Sequence, residues 1–352
     1  MPSTTKIADA GIPVDLDAME RELKKLWEES GGTLARASLV NFAIYSEEPD
    51  SVARNTGLIS QITEDLACRA IVINVNRAAK NDHVQAWINA HCHARSDKAR
   101  QVCSEQLSFV LEGPCVNLLS SIVFSHLDSD LPFYLWWQGE FHDPMDSQLW
   151  AWVDRLIYDS QSWQDFRAQL RLLAGAQSDA KNRVILCDLN WTRLVPVRMA
   201  LAQFFDHPTS RHHLGKFDHC EIDFAPGYRS TALLLAGWLA AQLDWKLEKE
   251  SRNFALNFSD KTGRRLKIVL NQNGVEPISR CLLRNDVKEF RVTHAAGADL
   301  LEISCNRPGE ESMQQLMPAG ENDPVALINL ELTRGGPRRV YLRALEQVRE
   351  LI

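Results

Sequence analysis

Residues 131–141 read LPFYLWWQGEF and begin the part of the chain whose pattern decides the fold. An apolar run that ends in Gln-Gly-Glu is typical of a β-strand followed by a turn. Successive side chains on a strand point to opposite faces, so the adjacent Trp136 and Trp137 cannot both enter one side of the sheet. We therefore expect one tryptophan to close the core and the other to lie with Glu140 at the strand end.

Strand and helix patterns alternate from residue 130 to residue 206, which predicts βαβ units and a parallel sheet. The β-branched run RAIVINV at 69–75 is typical of a strand buried on both faces. The segment from 149 to 158 fits either a helix or a short strand at 156–158, and the pattern leaves both open. Other predicted elements are a hairpin or an exposed part of the sheet at 84–92 and 102–111, helices at 53–66, 163–173 and 195–206, and a strand at 183–188.

The pattern changes after a polar stretch at 207–216, which we interpret as a linker. The sequence predicts an α/β domain over 1–210, with a largely parallel, doubly wound sheet, and an α+β domain over 211–352, with an antiparallel sheet. The elements predicted in the second domain are helices at 229–243 and 340–351 and strands at 254–259, 266–271, 279–284, 289–294, 299–305 and 326–333.

Bulk composition limits the class of protein. The 352 residues exceed what one core usually holds, about 250–300 residues, and 45% are hydrophobic and 24% charged, as in soluble globular proteins. A formal net charge of −7 argues against nucleic acid as a partner. The longest apolar run, TALLLAGWLAA, is shorter than the roughly 20 residues that span a bilayer, and no signal-peptide pattern opens the chain. We expect a cytoplasmic protein that does not enter a membrane.

The chain has eight cysteines, and no two of them form a Cys-x-x-Cys motif. Reduced, mostly buried thiols are the expectation for a cytosolic chain, while a redox-sensing pair stays possible because spacing alone cannot identify one. The chain also lacks glycine-rich phosphate loops, the nucleophile elbow of hydrolases and the zinc-protease helix motif. His91 and His93 share one face of a strand, but two ligands are too few for zinc. We predict no metal and no cofactor.

Unusual side chains follow three of the predicted strands, at the edge of the sheet where α/β proteins bind ligands. Aromatic rings beside carboxylates and amides suit a sugar-like ligand or a protein interface. The alternative is structural: the tryptophans cover the core, and Asp159 and Asp188 cap helices. The candidates for binding a ligand or a partner are Trp136, Trp137, Glu140, Asp159, Asp188, Asn190, Trp191, Arg193 and Arg198.

The chain resembles a known protein family in three segments. These are SDLPFYLWWQGE at 129–140, DRLIYDS at 154–160 and CDLNWTRLVPVRMALAQFFD at 187–206. The family that they resemble is the glucose-6-phosphate dehydrogenase assembly protein family, OpcA. CRAIVINV at 68–75 is similar to that family's early strand. The resemblance covers much of 50–206, and the second half is similar mainly in size and placement.

The resemblance implies a non-catalytic partner that favours the active oligomer of glucose-6-phosphate dehydrogenase and raises its activity. It thereby implies a role in the oxidative pentose phosphate pathway and in NADPH supply. No catalytic residue is carried over. The residues leave open a sugar-phosphate sensor or an orphan enzyme, in which Arg193 would hold a phosphate through its planar fork. A third interpretation also stays open: the protein is a structural scaffold, and these side chains only pack at the edge of the sheet.

Overall fold

The computed structural model describes residues 10–29, 34–94, 101–142, 150–179, 183–206, 213, 216–248, 254–306, 313–334 and 338–352. The chain forms two compact units, and neither is one continuous stretch. The first unit comprises 1–158, 171–187 and 328–334, and the second unit comprises 159–170, 188–327 and 335–352. The expected domain boundary near residue 210 stays a prediction, and most of the expected linker lies outside the described residues.

The first sheet contains nine strands among the described residues and is largely parallel, as the sequence predicted. Its order is β1-β5-β6-β4-β3-β7-β8-β9, with β2 pairing beside β6. The long hairpin of β5 and β6 is antiparallel, also as predicted. The strands are β1 (Ile12–Val14), β2 (Leu34–Arg36), β3 (Asn41–Ser46), β4 (Arg69–Asn76), β5 (His83–Ala94), β6 (Gln101–Glu112), β7 (Phe133–Trp137), β8 (Arg155–Tyr158) and β9 (Ile185–Asp188).

The centre of this sheet is buried on both faces. Every residue of β3 is buried, and every residue of β4 except Asn76. Burial on both faces explains why β4 is a continuous apolar run instead of an alternating one. The short strand β8 shows that residues 156–158 form a strand, so the interpretation of these three residues as helix is wrong.

In the part of the chain that the structure describes, the second sheet contains eight strands in the order β11-β12-β13-β10-β14-β15-β16-β17. It is mostly antiparallel, as predicted, because only β10 and β13 pair in parallel among the described strands. The sequence patterns missed β10, β11 and β17. The strands are β10 (His219–Asp223), β11 (Lys246–Leu247), β12 (Ala255–Ser259), β13 (Arg265–Asn271), β14 (Arg280–Arg284), β15 (Glu289–His294), β16 (Leu300–Asn306) and β17 (Met313–Pro318).

Helices complete the two units. None of the described helices has both the length and the apolar character needed to cross a membrane. The α-helices are α1 (Met19–Glu29), α2 (Ser51–Asp65), α3 (Leu119–Ser125), α4 (Phe166–Asp179), α5 (Leu189–Arg193), α6 (Val195–Asp206), α7 (Arg229–Leu243), α8 (Pro324–Thr333) and α9 (Arg339–Leu351), and 3-10 turns lie at Leu16–Ala18, Gly113–Leu118 and Ser160–Ser162.

Two helices of the second unit pack very closely. A Cβ atom placed on Gly237, in α7, would lie 2.6 Å from Cγ2 of Val348 and 2.8 Å from the carbonyl oxygen of Ala344, both in α9. Glycine is therefore required at this crossing because no side chain fits there.

The strand predicted at 326–333 is wrong, because this segment lies in α8. Pro324 occupies the first helical position, where its missing N–H is not needed. The carboxylate of Asp323 accepts hydrogen bonds from the backbone N–H groups of Val325 (2.9 Å) and Ala326 (3.1 Å). This N-terminal cap outweighs the local alternation of leucine with polar residues that suggested a strand.

The expectation of reduced cysteines is wrong for one pair. Cys92 and Cys103 lie opposite each other on β5 and β6 and form a disulfide. The sequence could not identify this pair because its partners meet only through the register of the hairpin. The other six cysteines are free thiols, and four of them are buried.

Candidate functional site

The carboxylate of Asp188, at the end of β9, is the centre of a buried polar network in the second unit. Asp188 is 1% exposed. Its oxygens accept hydrogen bonds from the backbone N–H (3.0 Å) and hydroxyl (2.7 Å) of Ser160, the N–H of Asn190 (3.0 Å) and the hydroxyl of Tyr341 (3.1 Å). The bond from Asn190 caps the N-terminus of α5.

Burial dominates the protonation of this group. Removal from water raises the pKa of Asp188 to about 7, and the nearby charge of Asp159 acts in the same direction. The hydrogen bonds from Ser160 and Asn190 oppose this rise in pKa because they stabilise the charged form. A carboxyl that titrates near neutral pH is uncommon and is found in functional sites and in structural networks alike.

Asn190 extends the network toward α7. Its side chain is fully buried and donates to the hydroxyls of Ser160 (3.1 Å) and Ser230 (3.0 Å). Its side-chain oxygen accepts from the hydroxyl of Thr231 at 2.5 Å and from the guanidinium of Arg193 at 3.3 Å. Each polar atom of this amide is therefore satisfied by the protein itself, as a buried amide requires.

Arg193 is held by two acceptors besides Asn190. Its guanidinium donates to both oxygens of Asp159, at 3.2 and 2.8 Å, and to the side-chain oxygen of Asn322. Only 7% of the arginine side chain is exposed. The guanidinium of Arg193, which the sequence analysis considered as a phosphate-binding group, therefore binds the carboxylate of Asp159 in the same unit.

The remaining polar and aromatic residues of the DLNWTR region also face inward. The guanidinium of Arg198 lies 3.6 Å from the ring centroid of Trp191 and donates to the carbonyl of Trp191 at 3.2 Å. The ring of Trp191 in turn packs against Tyr341, with the two centroids 5.4 Å apart. The predicted residues Asp159, Asp188, Asn190, Trp191, Arg193 and Arg198 thus belong to one connected set of contacts.

The WWQGE segment lies in the first unit, and the expectation that one tryptophan faces outward is wrong. Trp136 is 6% exposed and Trp137 is 7% exposed. Trp137 stacks on Tyr45, with ring centroids 3.8 Å apart, and its indole N–H donates to the carbonyl oxygen of Glu140 at 3.1 Å. Because both faces of this sheet are covered, alternation along β7 directs both tryptophans into protein interior.

The alternative interpretation of the aspartates as helix caps is confirmed. Asp159 accepts a hydrogen bond from the N–H of Gln161 at the start of the 3-10 turn, and Asp188 does the same for α5. The sequence missed four further members of the network, Ser230, Thr231, Asn322 and Tyr341. No short-range pattern could have found them because they approach only through folding.

The histidine pair on β5 has structural contacts. A ring nitrogen of His91 lies 2.8 Å from the amide oxygen of Gln106, and one of His93 lies 3.0 Å from the hydroxyl of Thr63. Burial lowers the pKa of His91. Within the described part of the chain, no group of three or more His, Cys, Asp or Glu side chains is arranged to hold a metal ion.

Comparison with known proteins places the chain in a class. Residues 59–175 match the family described as the glucose-6-phosphate dehydrogenase subunit N-terminal domain, and residues 185–345 match the corresponding C-terminal domain. Together the two matches cover most of the chain and include both motif regions. The chain belongs to the OpcA family.

Relatives in other organisms carry the OpcA name. A protein of Synechocystis named putative OxPP cycle protein OpcA is 27% identical over 194 residues, which are 54% of this chain and 40% of that protein. Its namesake in Synechococcus elongatus is 25% identical over 284 residues, which are 74% of this chain and 63% of that protein. The chain thus spans less than two thirds of the length of these relatives.

Solved structures resemble the chain more weakly. Aldose-aldose oxidoreductase of Caulobacter crescentus is 10% identical, with a TM-score of 0.48 over 89% of this chain and 96% of that one. Because the TM-score is below 0.5, no activity of that oxidoreductase is carried over to this chain.

Proposed function

We propose that this chain is a non-catalytic partner of glucose-6-phosphate dehydrogenase that promotes its assembly and activates it allosterically. In this role it acts in the cytoplasm and supports the oxidative pentose phosphate pathway and NADPH supply. Membership of the OpcA family is the observation that carries the proposal.

The chemistry of the buried network supports a role without turnover. A general acid or base must come within hydrogen-bond reach of its substrate. Asp188 is 1% exposed, and its oxygens accept four hydrogen bonds from protein groups. The network is built like a structural element that holds the second unit in one conformation, which suits a protein that acts through binding.

An activator must bind the active state of the dehydrogenase more tightly than the inactive state. The proposal therefore predicts a change in both kinetics and assembly. Adding the chain to the dehydrogenase of the same organism should raise kcat/KM and shift the enzyme to its active oligomer, measured by light scattering.

The chain alone, assayed with glucose 6-phosphate and NADP, serves as the control and should give no turnover. Unchanged dehydrogenase kinetics together with an unchanged particle mass would refute the proposal. The alternative of a sugar-phosphate sensor or orphan enzyme has less support because Asp159 and Asn322 already bind the guanidinium of Arg193. A thermal shift with glucose 6-phosphate that is lost in Arg193→Ala would favour that alternative.

A further inference from the structure

The order of strands in the first sheet defines a specific crevice. The chain enters the sheet's parallel part at β3, adds β4 and β6 on one side, and then returns to place β7 on the other side of β3. In open α/β sheets, ligands bind outside the carboxyl ends of the two strands where the order reverses. A phosphate of a dinucleotide usually lies there, on a glycine-rich turn and the N-terminus of the next helix.

The corresponding turn of this chain, SEEPDS at 46–51, contains no glycine and two glutamates. The interior of the turn is occupied by the side chain of Asn74. Its amide donates to the carbonyl oxygens of Ser46 (3.2 Å) and Glu48 (2.7 Å) and lies 2.7 Å from the hydroxyl of Ser51. The side-chain amide of Asn74 therefore fills the space that the turn encloses.

Glu47 belongs to this turn, and groups that bind anions surround its carboxylate. Its carboxylate accepts from Nε of Arg77 at 2.9 Å and from the hydroxyl of Tyr45, and it lies 3.0 Å from Nε2 of His142. Tyr45 is the next-to-last residue of β3, Arg77 follows β4, and His142 follows β7. One carboxylate therefore connects the ends of three strands across the crevice.

We infer that the carboxylate of Glu47 is a built-in anion that occupies the place where a sheet of this order binds a phosphate. The guanidinium, imidazole and phenol around it are donors that would suit a ligand phosphate equally well. The stacking of Tyr45 on Trp137, at 3.8 Å, covers the adjoining surface. The crevice consequently takes no dinucleotide.

Removing the built-in anion should leave its donors able to bind an external one. In Glu47→Ala, we expect a lower melting temperature that inorganic phosphate partly restores, compared with chloride at equal ionic strength. Phosphate stabilises folded proteins in general more than chloride does, so the gain in Glu47→Ala should exceed the gain in the wild type. Glu48→Ala is the matched control because the Glu48 side chain is 63% exposed and pairs with Arg54.

Two results would overturn the inference. One is a Glu47→Ala protein that phosphate stabilises no more than it stabilises Glu48→Ala. The other is saturable binding of NADPH to the wild type, measured by its nicotinamide fluorescence, that Arg77→Ala abolishes. If Glu47→Ala does not fold, Glu47→Gln keeps the shape of the side chain without its charge and is tested in the same way. The dehydrogenase is absent from these experiments, so their outcome is independent of the proposed function.

Discussion

The phenol oxygen of Tyr341 lies 3.1 Å from Oδ2 of Asp188, although 153 residues separate the two in the sequence. Through this contact, helix α9 is bonded to the carboxylate that caps α5. Both side chains are buried, with exposures of 1% each. A hydrogen bond to a buried carboxylate is stronger than one between neutral groups, so this contact fixes α9 more firmly than its length suggests.

Replacing Tyr341 by phenylalanine removes this hydroxyl and leaves the ring in place. At about pH 8, above the folded pKa of about 7, Asp188 is ionised, and the free energy of unfolding should fall by about 1.5–3 kcal/mol, as for other hydrogen bonds to charged groups. Urea unfolding followed by circular dichroism measures the change. Val340→Ala is the control, since Val340 is 46% exposed on the same helix and should change stability by less than about 0.5 kcal/mol.

The raised pKa of Asp188 predicts a pH dependence of stability. The folded carboxyl titrates at about 7, and the unfolded one at its usual value of about 4. The folded state therefore holds its proton more tightly, and this contribution to stability is lost as the pH rises from about 4 to about 7. Asp188→Asn mimics the protonated form, so it should gain stability relative to the wild type over this range.

The size of this gain follows from the pKa difference. One pKa unit corresponds to about 1.4 kcal/mol, which sets an upper limit of about 4 kcal/mol for the relative gain. Urea unfolding at several pH values gives the difference between variant and wild type. A difference that is independent of pH contradicts the prediction, and Asp286→Asn, at an exposed position, controls for the loss of an ordinary carboxylate.

Two glycine substitutions should have opposite effects on stability, because Gly237 lies at the close crossing of α7 and α9 and Gly175 lies at an open position. Gly237→Ala should destabilise the protein because the new methyl group would overlap Val348 and the carbonyl of Ala344. Gly175→Ala, in the exposed part of α4, meets no atom within 4 Å and should stabilise by up to about 1 kcal/mol through helix propensity. Melting temperatures of the two variants should therefore move in opposite directions, and a rise in both would show that the helices can separate.

The two tryptophans Trp137 and Trp152 should behave differently. Trp137→Ala removes a buried ring and should lower the free energy of unfolding by about 3–5 kcal/mol. Trp152 is 59% exposed, so Trp152→Ala should cost far less. If Trp137→Ala lowers stability but leaves the affinity for the dehydrogenase unchanged, measured below the melting temperature, Trp137 is a packing residue.

The sequence predicted the elements whose patterns are local. The continuous β-branched run of β4 predicts a strand buried on both faces, and the alternation of apolar and polar residues in β13 predicts one buried face. Patterns failed where a cap or a neighbour decided the structure. Asp323 and Pro324 begin a helix in a segment that alternates like a strand, and β17 (MQQLMP) contains no β-branched or aromatic residue that would mark a strand.

The candidate site was predictable only in part. The types and positions of Asp159, Asp188 and Arg193 marked them as unusual, but their partners could not be derived from spacing. Whether Arg193 meets a phosphate or a carboxylate depends on where the chain places Asp159, 34 positions away. Glu47 carried one usable signal, since it is a carboxylate directly after a buried strand at the sheet centre.

The division of the chain between the two units has a consequence for biosynthesis. The first unit includes residues 328–334, so most of its sequence leaves the ribosome long before its last piece is made. The second unit includes residues 159–170 and the helix that carries Tyr341. An N-terminal domain usually folds during translation, but the first unit cannot complete its folding until residues 328–334 have been made. We expect both units to reach their native state late, and a premature stop near residue 320 to leave neither unit complete.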